Sequence, residues 1–139
     1  ERLPADGLAF TALSKSGHVI GTLRMWNVIA GSAGPALLLG PLAVDGRYQR
    51  RGIGRELMTH ALNMAKVLGH ASVLLVGDEP YYSRYGFTRS LVADLHLPGP
   101  VERGRFLGVE LAPGALDGAE GLVMASGALA PAVGKTLAA

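Results

Sequence analysis

Gln49-Arg50-Arg51-Gly52-Ile53-Gly54 lies between an apolar run that ends at Val44 and an amphipathic run that begins at Ile53. It reads as the point where a strand hands over to a helix. Two glycines keep side chains out of the way, so the backbone N–H groups of the first helical turn can converge on an anion at the positive end of the helix dipole. Arg47, Arg50, Arg51 and Arg55 add formal positive charge around the same point. The competing reading is an ordinary tight loop with a solvated basic face.

Outward from this stretch, Ile53, Leu57, Met58, Ala61, Leu62, Ala65 and Leu68 recur at helical spacing, and Gly69 is placed to stop the helix. On the other side, Leu37 to Val44 reads as a buried strand interrupted by Gly40-Pro41. Proline cannot donate to a ladder and glycine weakens one, so the dipeptide predicts a bulge or a splayed edge where a cleft can open. Ser72 to Val76 is a second buried strand, which makes strand, helix and strand a βαβ unit with parallel strands. Upstream, Leu8–Leu13 and His18–Ile29, joined by Ser14-Lys15-Ser16-Gly17, read as an antiparallel hairpin. Downstream, Gly77-Asp78-Glu79-Pro80 leads into a short helix that carries Tyr81, Tyr82 and Tyr85 and ends at Gly86. Strands are predicted over Phe87–Leu91, Arg105–Leu111 and Gly121–Ala125, while Ser126–Ala139 has no assignment.

Composition narrows the chemistry. A chain of 139 residues, 49% hydrophobic and 17% charged, has room for one folded domain over residues 1–139. It has no cysteine, which excludes disulfides, thiolate metal sites and a cysteine nucleophile. No apolar stretch approaches a membrane span and the first residues resemble no signal peptide, so a cytoplasmic protein is expected. A net charge of +2 does not by itself imply nucleic acid, and within the basic segment only Tyr48 offers a stacking surface.

These motifs resemble the GNAT superfamily of acyl-CoA-dependent N-acetyltransferases. The family's acetyl-CoA motif runs from a strand ending Leu-x-Val into Gln/Arg-x-x-Gly-x-Gly/Ala at a helix start, here Leu42-Ala43-Val44 followed by Gln49-Arg50-Arg51-Gly52-Ile53-Gly54. A second family feature, an aromatic segment ending in Gly-Phe, reads Tyr81-Tyr82-Ser83-Arg84-Tyr85-Gly86-Phe87, and Gly77 to Tyr82 is similar to the bacterial YhbS-like subgroup. The resemblance implies an α/β (α+β) fold with a mixed central sheet and a bulged strand, a βαβ acetyl-CoA unit and flanking helices. Acetyl-CoA is then the expected acetyl donor, no metal is expected, and the acceptor is a small-molecule or peptide amine. The donor would be bound by Leu42, Ala43, Val44, Gln49, Arg50, Arg51, Gly52, Ile53, Gly54 and Arg55. A backbone N–H near Leu42 would serve as oxyanion donor, and Tyr82 would protonate the departing thiolate.

Each role has a plainer counterpart. Tyrosines at helical spacing also serve as packing residues, the arginines as a solvated face, His18 as a surface residue, Trp26 as core or pocket lining, and Asp78 and Glu79 as helix caps. Three departures from the family pattern stand out. The chain begins at what would be the family's second strand, without the first strand and helices. The Asn that many relatives carry ahead of the tyrosine segment has no counterpart, and no glutamate falls on the central strand as a base. A CoA-binding regulatory or interaction module is therefore the alternative function. A homodimer is compatible with either reading.

Overall fold

The computed structural model describes residues 1–131. Strands β1 (Ala9–Leu13), β2 (Val19–Ala30), β3 (Pro35–Val44), β4 (Ser72–Val76), β5 (Asp94–His96), β6 (Phe106–Glu110) and β7 (Glu120–Ala125) form one sheet. Its order is β5-β7-β2-β3-β4-β6, with β1 also paired to β2. Helix α1 (Ile53–Val67) crosses from β3 to β4, and the short α2 (Glu79–Tyr82) follows β4. This is the mixed α+β sheet expected from the sequence.

Pairing of β3 with β4 is parallel and pairing of β1 with β2 antiparallel, in agreement with the βαβ and hairpin readings. Helix α1 packs Leu57, Met58, Ala61 and Ala65 against Leu23, Met25, Leu37, Leu39, Val73 and Leu75 on one sheet face. Each large side chain fully buried there contributes roughly 1.5–3 kcal/mol. The helix ends as its sequence dictates: Gly69 takes φ +89°, its N–H bonds the Lys66 carbonyl at 3.1 Å, and the His70 N–H bonds the Ala65 carbonyl at 3.0 Å. A second core, with Val28, Ala36, Leu74, Val92, Leu95, Leu116 and Val123, covers the opposite face. Strand β4 is thus buried on both sides, which accounts for its unbroken apolar run.

The predicted strand over Phe87–Leu91 is corrected. Only Thr88 pairs, with Gly108 of β6, and Ser90–Val92 turn instead into a 3-10 helix. The Thr88 hydroxyl accepts the Ser90 N–H at 2.9 Å, a local bond that competes with a ladder and bends the chain out of it. The turn can lie over β6 because Gly108 has no side chain: a Cβ there would stand 2.6 Å from Val92 Cγ1. Strand β5, which pairs in parallel with β7, was not anticipated, since three residues of mixed polarity carry no periodic signal. Of the unassigned segment, Ser126–Pro131 runs beside the N-terminus, with the Ala130 N–H bonded to the Glu1 carbonyl at 2.7 Å. Residues 132–139 lie outside the described residues.

Candidate active site

The bulge predicted at Gly40-Pro41 is present. Strand β3 pairs Leu39 with Met25 and Leu42 with Leu23, so Gly40 and Pro41 together face the single residue Arg24. The peptide between them is cis. Pairing of β3 with β4 covers only Leu37–Leu39, and beyond it the two strands part. The direction of the freed groups follows from the ladder. The Asp45 N–H bonds the Ile20 carbonyl at 2.8 Å, and groups along an antiparallel strand alternate, so Ala43 turns its N–H and C=O to β2. Leu42 and Val44 turn theirs to the opened side. The Val44 carbonyl accepts the Gln49 side-chain amide there at 3.3 Å.

Past the strand, Asp45 turns the chain by accepting the Arg47 N–H at 2.9 Å and pairing with the Arg47 guanidinium at 3.1 Å. The side-chain hydrogen bond from Arg47 is the main reason the Asp45 carboxyl lies below its ordinary range. Arg50 takes φ +66°, the only positive φ at a non-glycine among the described residues, and the N-cap Gly52 takes φ +82°. This winding leads into α1 without a side-chain cap. Glu56 donates to Gly52, whereas the N–H groups of Ile53, Gly54 and Arg55 find no protein acceptor among the described residues. Three convergent donors at the positive end of a 15-residue helix, flanked by arginine, fit an anion. The chain therefore has the backbone donors and the charge that a pyrophosphate requires.

The tyrosine helix closes the cleft opposite α1. The Tyr81 hydroxyl lies beside Gly54, where an added Cβ would be 3.5 Å away, and it meets the Tyr85 hydroxyl at 3.3 Å. The Arg84 guanidinium stacks 4.5 Å from the Tyr81 ring centroid. Tyr82 packs its ring on Gly77 and edge-on against Tyr81 and Phe87. Burial, with lesser contributions from Tyr81 and Asp78, raises the Tyr82 phenol above its ordinary pKa, and Arg105 opposes the shift. Burial and the Tyr81 hydrogen bond push Tyr85 up to about 12. Asp78 does not cap α2 but pairs with Arg105 at 2.7 Å, and Glu79 accepts the Arg89 N–H at 2.9 Å.

Leu42, Val44, Gln49, Arg50, Gly52, Ile53, Gly54, Arg55 and Tyr82 line one cleft of about 570 Å³. Of the predicted residues, Ala43 and Arg51 do not line it. Ala43 spends its backbone on β2, and Arg51 lies over the Tyr48 ring at 5.1 Å. Tyr48, Tyr81 and Arg84 line the cleft as well. The sequence offers Tyr81 as a packing residue and assigns Tyr48 and Arg84 no place in the cleft, since nothing in a three-residue 3-10 turn tells which side chains turn inward. His18 is exposed, as expected. Among the described residues no cluster of three potential metal ligands occurs, and no helix is long and apolar enough to cross a membrane.

Comparison with known proteins bears on the same segments. The acetyltransferase (GNAT) domain model matches residues 6–89. The uncharacterized N-acetyltransferase YhbS of Escherichia coli strain K12 is 34% identical over 117 residues, covering 84% of this chain and 70% of the relative. The 1.55 Å crystal structure of the E. coli GNAT family N-acetyltransferase (YhbS) in complex with CoA superposes with TM-score 0.75 at 32% identity, covering 87% of this chain and 69% of that one. A GNAT family acetyltransferase from Brucella melitensis, in complex with acetyl-CoA, gives TM-score 0.66 at 26% identity, with 86% and 66% of the two chains covered.

Proposed function

The chain belongs to the GNAT family of N-acetyltransferases, and from that premise we propose that it transfers the acetyl group of acetyl-CoA to a primary amine by direct attack. The observation that carries this reading is one cleft with the helix N–H groups of Ile53–Arg55, which find no acceptor among the described residues, at one end and the freed edge of Leu42 and the Tyr82 phenol along its walls. The CoA complex of the E. coli relative and the acetyl-CoA complex of the Brucella relative support the same cofactor here.

The helix N-terminus and Arg50 and Arg55 hold the pyrophosphate, and the edge of Leu42 and Val44 offers strand-like hydrogen bonds to the pantetheine arm. The Leu42 N–H meets the charge that develops on the thioester oxygen as the amine nitrogen bonds to the carbonyl carbon. As the C–S bond breaks, the thiolate takes its proton from the Tyr82 hydroxyl, which is protonated at neutral pH, and the phenolate left behind regains a proton from solvent. The proton lost by the attacking amine leaves to solvent. Positioning of amine against thioester supplies the larger share of the rate. The chain has no cysteine, and no serine, threonine, histidine or lysine lines the cleft among the described residues, which supports a transfer in which both substrates are bound together. We place the protein in the cytoplasm, acting as one domain on a small-molecule or peptide amine and not on nucleic acid.

One observation favours a second reading, a CoA-binding regulatory module: no carboxylate lines the cleft among the described residues, and Asp78 and Glu79 are both engaged elsewhere. Initial-rate measurements of CoA release across a panel of primary amines separate the two. Direct transfer gives intersecting double-reciprocal lines, whereas parallel lines reveal a covalent intermediate and defeat direct attack. Calorimetric binding of acetyl-CoA with no release by any amine establishes the module.

A further inference from the structure

The bulge that opens the cleft is held from the far side of the sheet. Trp26 pairs with Leu38 on the neighbouring strand, and its side chain belongs to the face opposite α1, beside Val28 and Leu38. A large side chain reaches its diagonal cross-strand neighbour, here Gly40, and the indole N–H donates to the Gly40 carbonyl at 2.6 Å. Gly40 and Pro41 are the two residues that face Arg24 alone, and Pro41 has no N–H of its own. Leu42 is therefore the first residue after the irregularity able to donate toward the cleft, and its direction is set by how the bulge is wound. The other side of the indole walls a hollow of about 220 Å³ with Leu3, Val28, Leu38 and Ala125, so the ring is supported by packing while its N–H is committed to the bulge.

We propose that Trp26 is a positioning residue for acyl transfer: by holding the Gly40 carbonyl, its indole N–H fixes the winding of the bulge that aims the Leu42 N–H into the cleft. The inference rests on the acetyl-transfer reading given above. Trp26 touches no reacting atom. Its effect falls on the transition state, when charge gathers on the thioester oxygen, and not on donor binding, which the N–H groups of Ile53–Arg55 carry at the other end of the cleft.

Trp26→Phe keeps an aromatic ring in the hollow and deletes the N–H. The variant is expected to lower kcat by roughly ten- to a hundred-fold, the range a misplaced catalytic group costs, with KM for acetyl-CoA unchanged. Leu38→Ala serves as the packing control: it opens the same hollow, leaves the indole bond intact, and is expected to lower the melting temperature while kcat stays near wild type. Trp26→Phe with wild-type kcat, or with kcat lost only in step with the melting temperature across both variants, overturns the proposal.

A second readout is independent of turnover. The chain has one tryptophan, so its ¹H–¹⁵N spectrum holds a single indole resonance. Saturating CoA is expected to move that resonance in the wild-type protein, and Trp26→Phe to move the Leu42 amide in the free protein. An indole resonance that stays in place while the amides of Ile53–Arg55 respond to CoA refutes the coupling. Failure of the wild-type protein to acetylate any amine counts against the transfer reading instead, and the indole and Leu42 resonances still decide the role of Trp26.

Discussion

Gly77→Ala tests the placement of Tyr82 without removing its hydroxyl or altering the donor end of the cleft. Gly77 is buried at the end of β4, its N–H bonded to the Arg105 carbonyl at 2.8 Å, and its φ lies outside the left-handed region, so alanine meets no backbone penalty. The cost lies in contact alone. A Cβ at this position falls against Cε2 of the Tyr82 ring, 2.9 Å from Cδ2 and 3.3 Å from Cζ, where ordinary contacts begin at 3.4 Å. The ring has to retreat by about an ångström, a displacement of the size that costs on the order of a hundred-fold in rate when it moves a catalytic group. Overpacking lowers stability by about 1–3 kcal/mol in addition.

Steady-state CoA release is therefore expected to show kcat reduced about a hundred-fold, with KM for acetyl-CoA and the calorimetric Kd for CoA near wild type. The decisive measurement is the double variant. If Gly77→Ala acts through Tyr82, it adds nothing once Tyr82→Phe has removed the hydroxyl, and the two losses do not sum. A folded Gly77→Ala protein with wild-type kcat refutes the reasoning, and so does full additivity with Tyr82→Phe.

Three further outcomes follow from the geometry. At Gly54 a Cβ fits at ordinary distance from the Tyr81 hydroxyl and Val44, but a longer side chain enters the cleft; Gly54→Leu is expected to weaken calorimetric CoA binding by about ten-fold or more, ~1.4 kcal/mol, with the melting temperature preserved. Tyr85 binds its proton more tightly folded, at about 12, than unfolded, at ~10, so its stabilisation is complete below pH ~10 and is lost as pH rises to about 12. Alkaline denaturation of Tyr85→Phe should accordingly show a shallower loss of stability through that window, and an unchanged slope contradicts the assignment. Met58, fully buried where α1 meets the sheet, should lose about 2–5 kcal/mol on replacement by alanine, read as a lower urea midpoint.

Much of the donor side was legible in the sequence because its causes are local. A glycine in the left-handed region, a proline without an N–H, and apolar residues at helical spacing each constrain the backbone within a few residues, so Gly52, Pro41 and the α1 stripe located the helix start, the bulge and the crossover. Orientation was legible only to the level of the strand. That Leu42 and Val44 rather than Ala43 face the cleft depends on which edge pairs with β2, a register set by distant residues. Tyr48 and Arg84 escaped for a related reason: their inward placement is decided by elements that meet only in three dimensions. The Thr88 hydroxyl ended a predicted strand with one local hydrogen bond, a competition between side chain and ladder that propensity leaves undecided.

The three-pair junction of Leu37–Leu39 with Val73–Leu75 makes the molecule a two-piece assembly. Everything from β5 through β3 lies on one side of that seam, and β4 with β6, paired over all five residues of β4, lies on the other. A seam this short, already unzipped at its bulged end, resists shear through the side chains packed over it more than through its backbone bonds. Cohesion therefore draws on a few apolar residues that lie outside the cleft lining: trimming Leu37, Leu39, Val73 or Leu75 would loosen the join that holds the two pieces in one sheet.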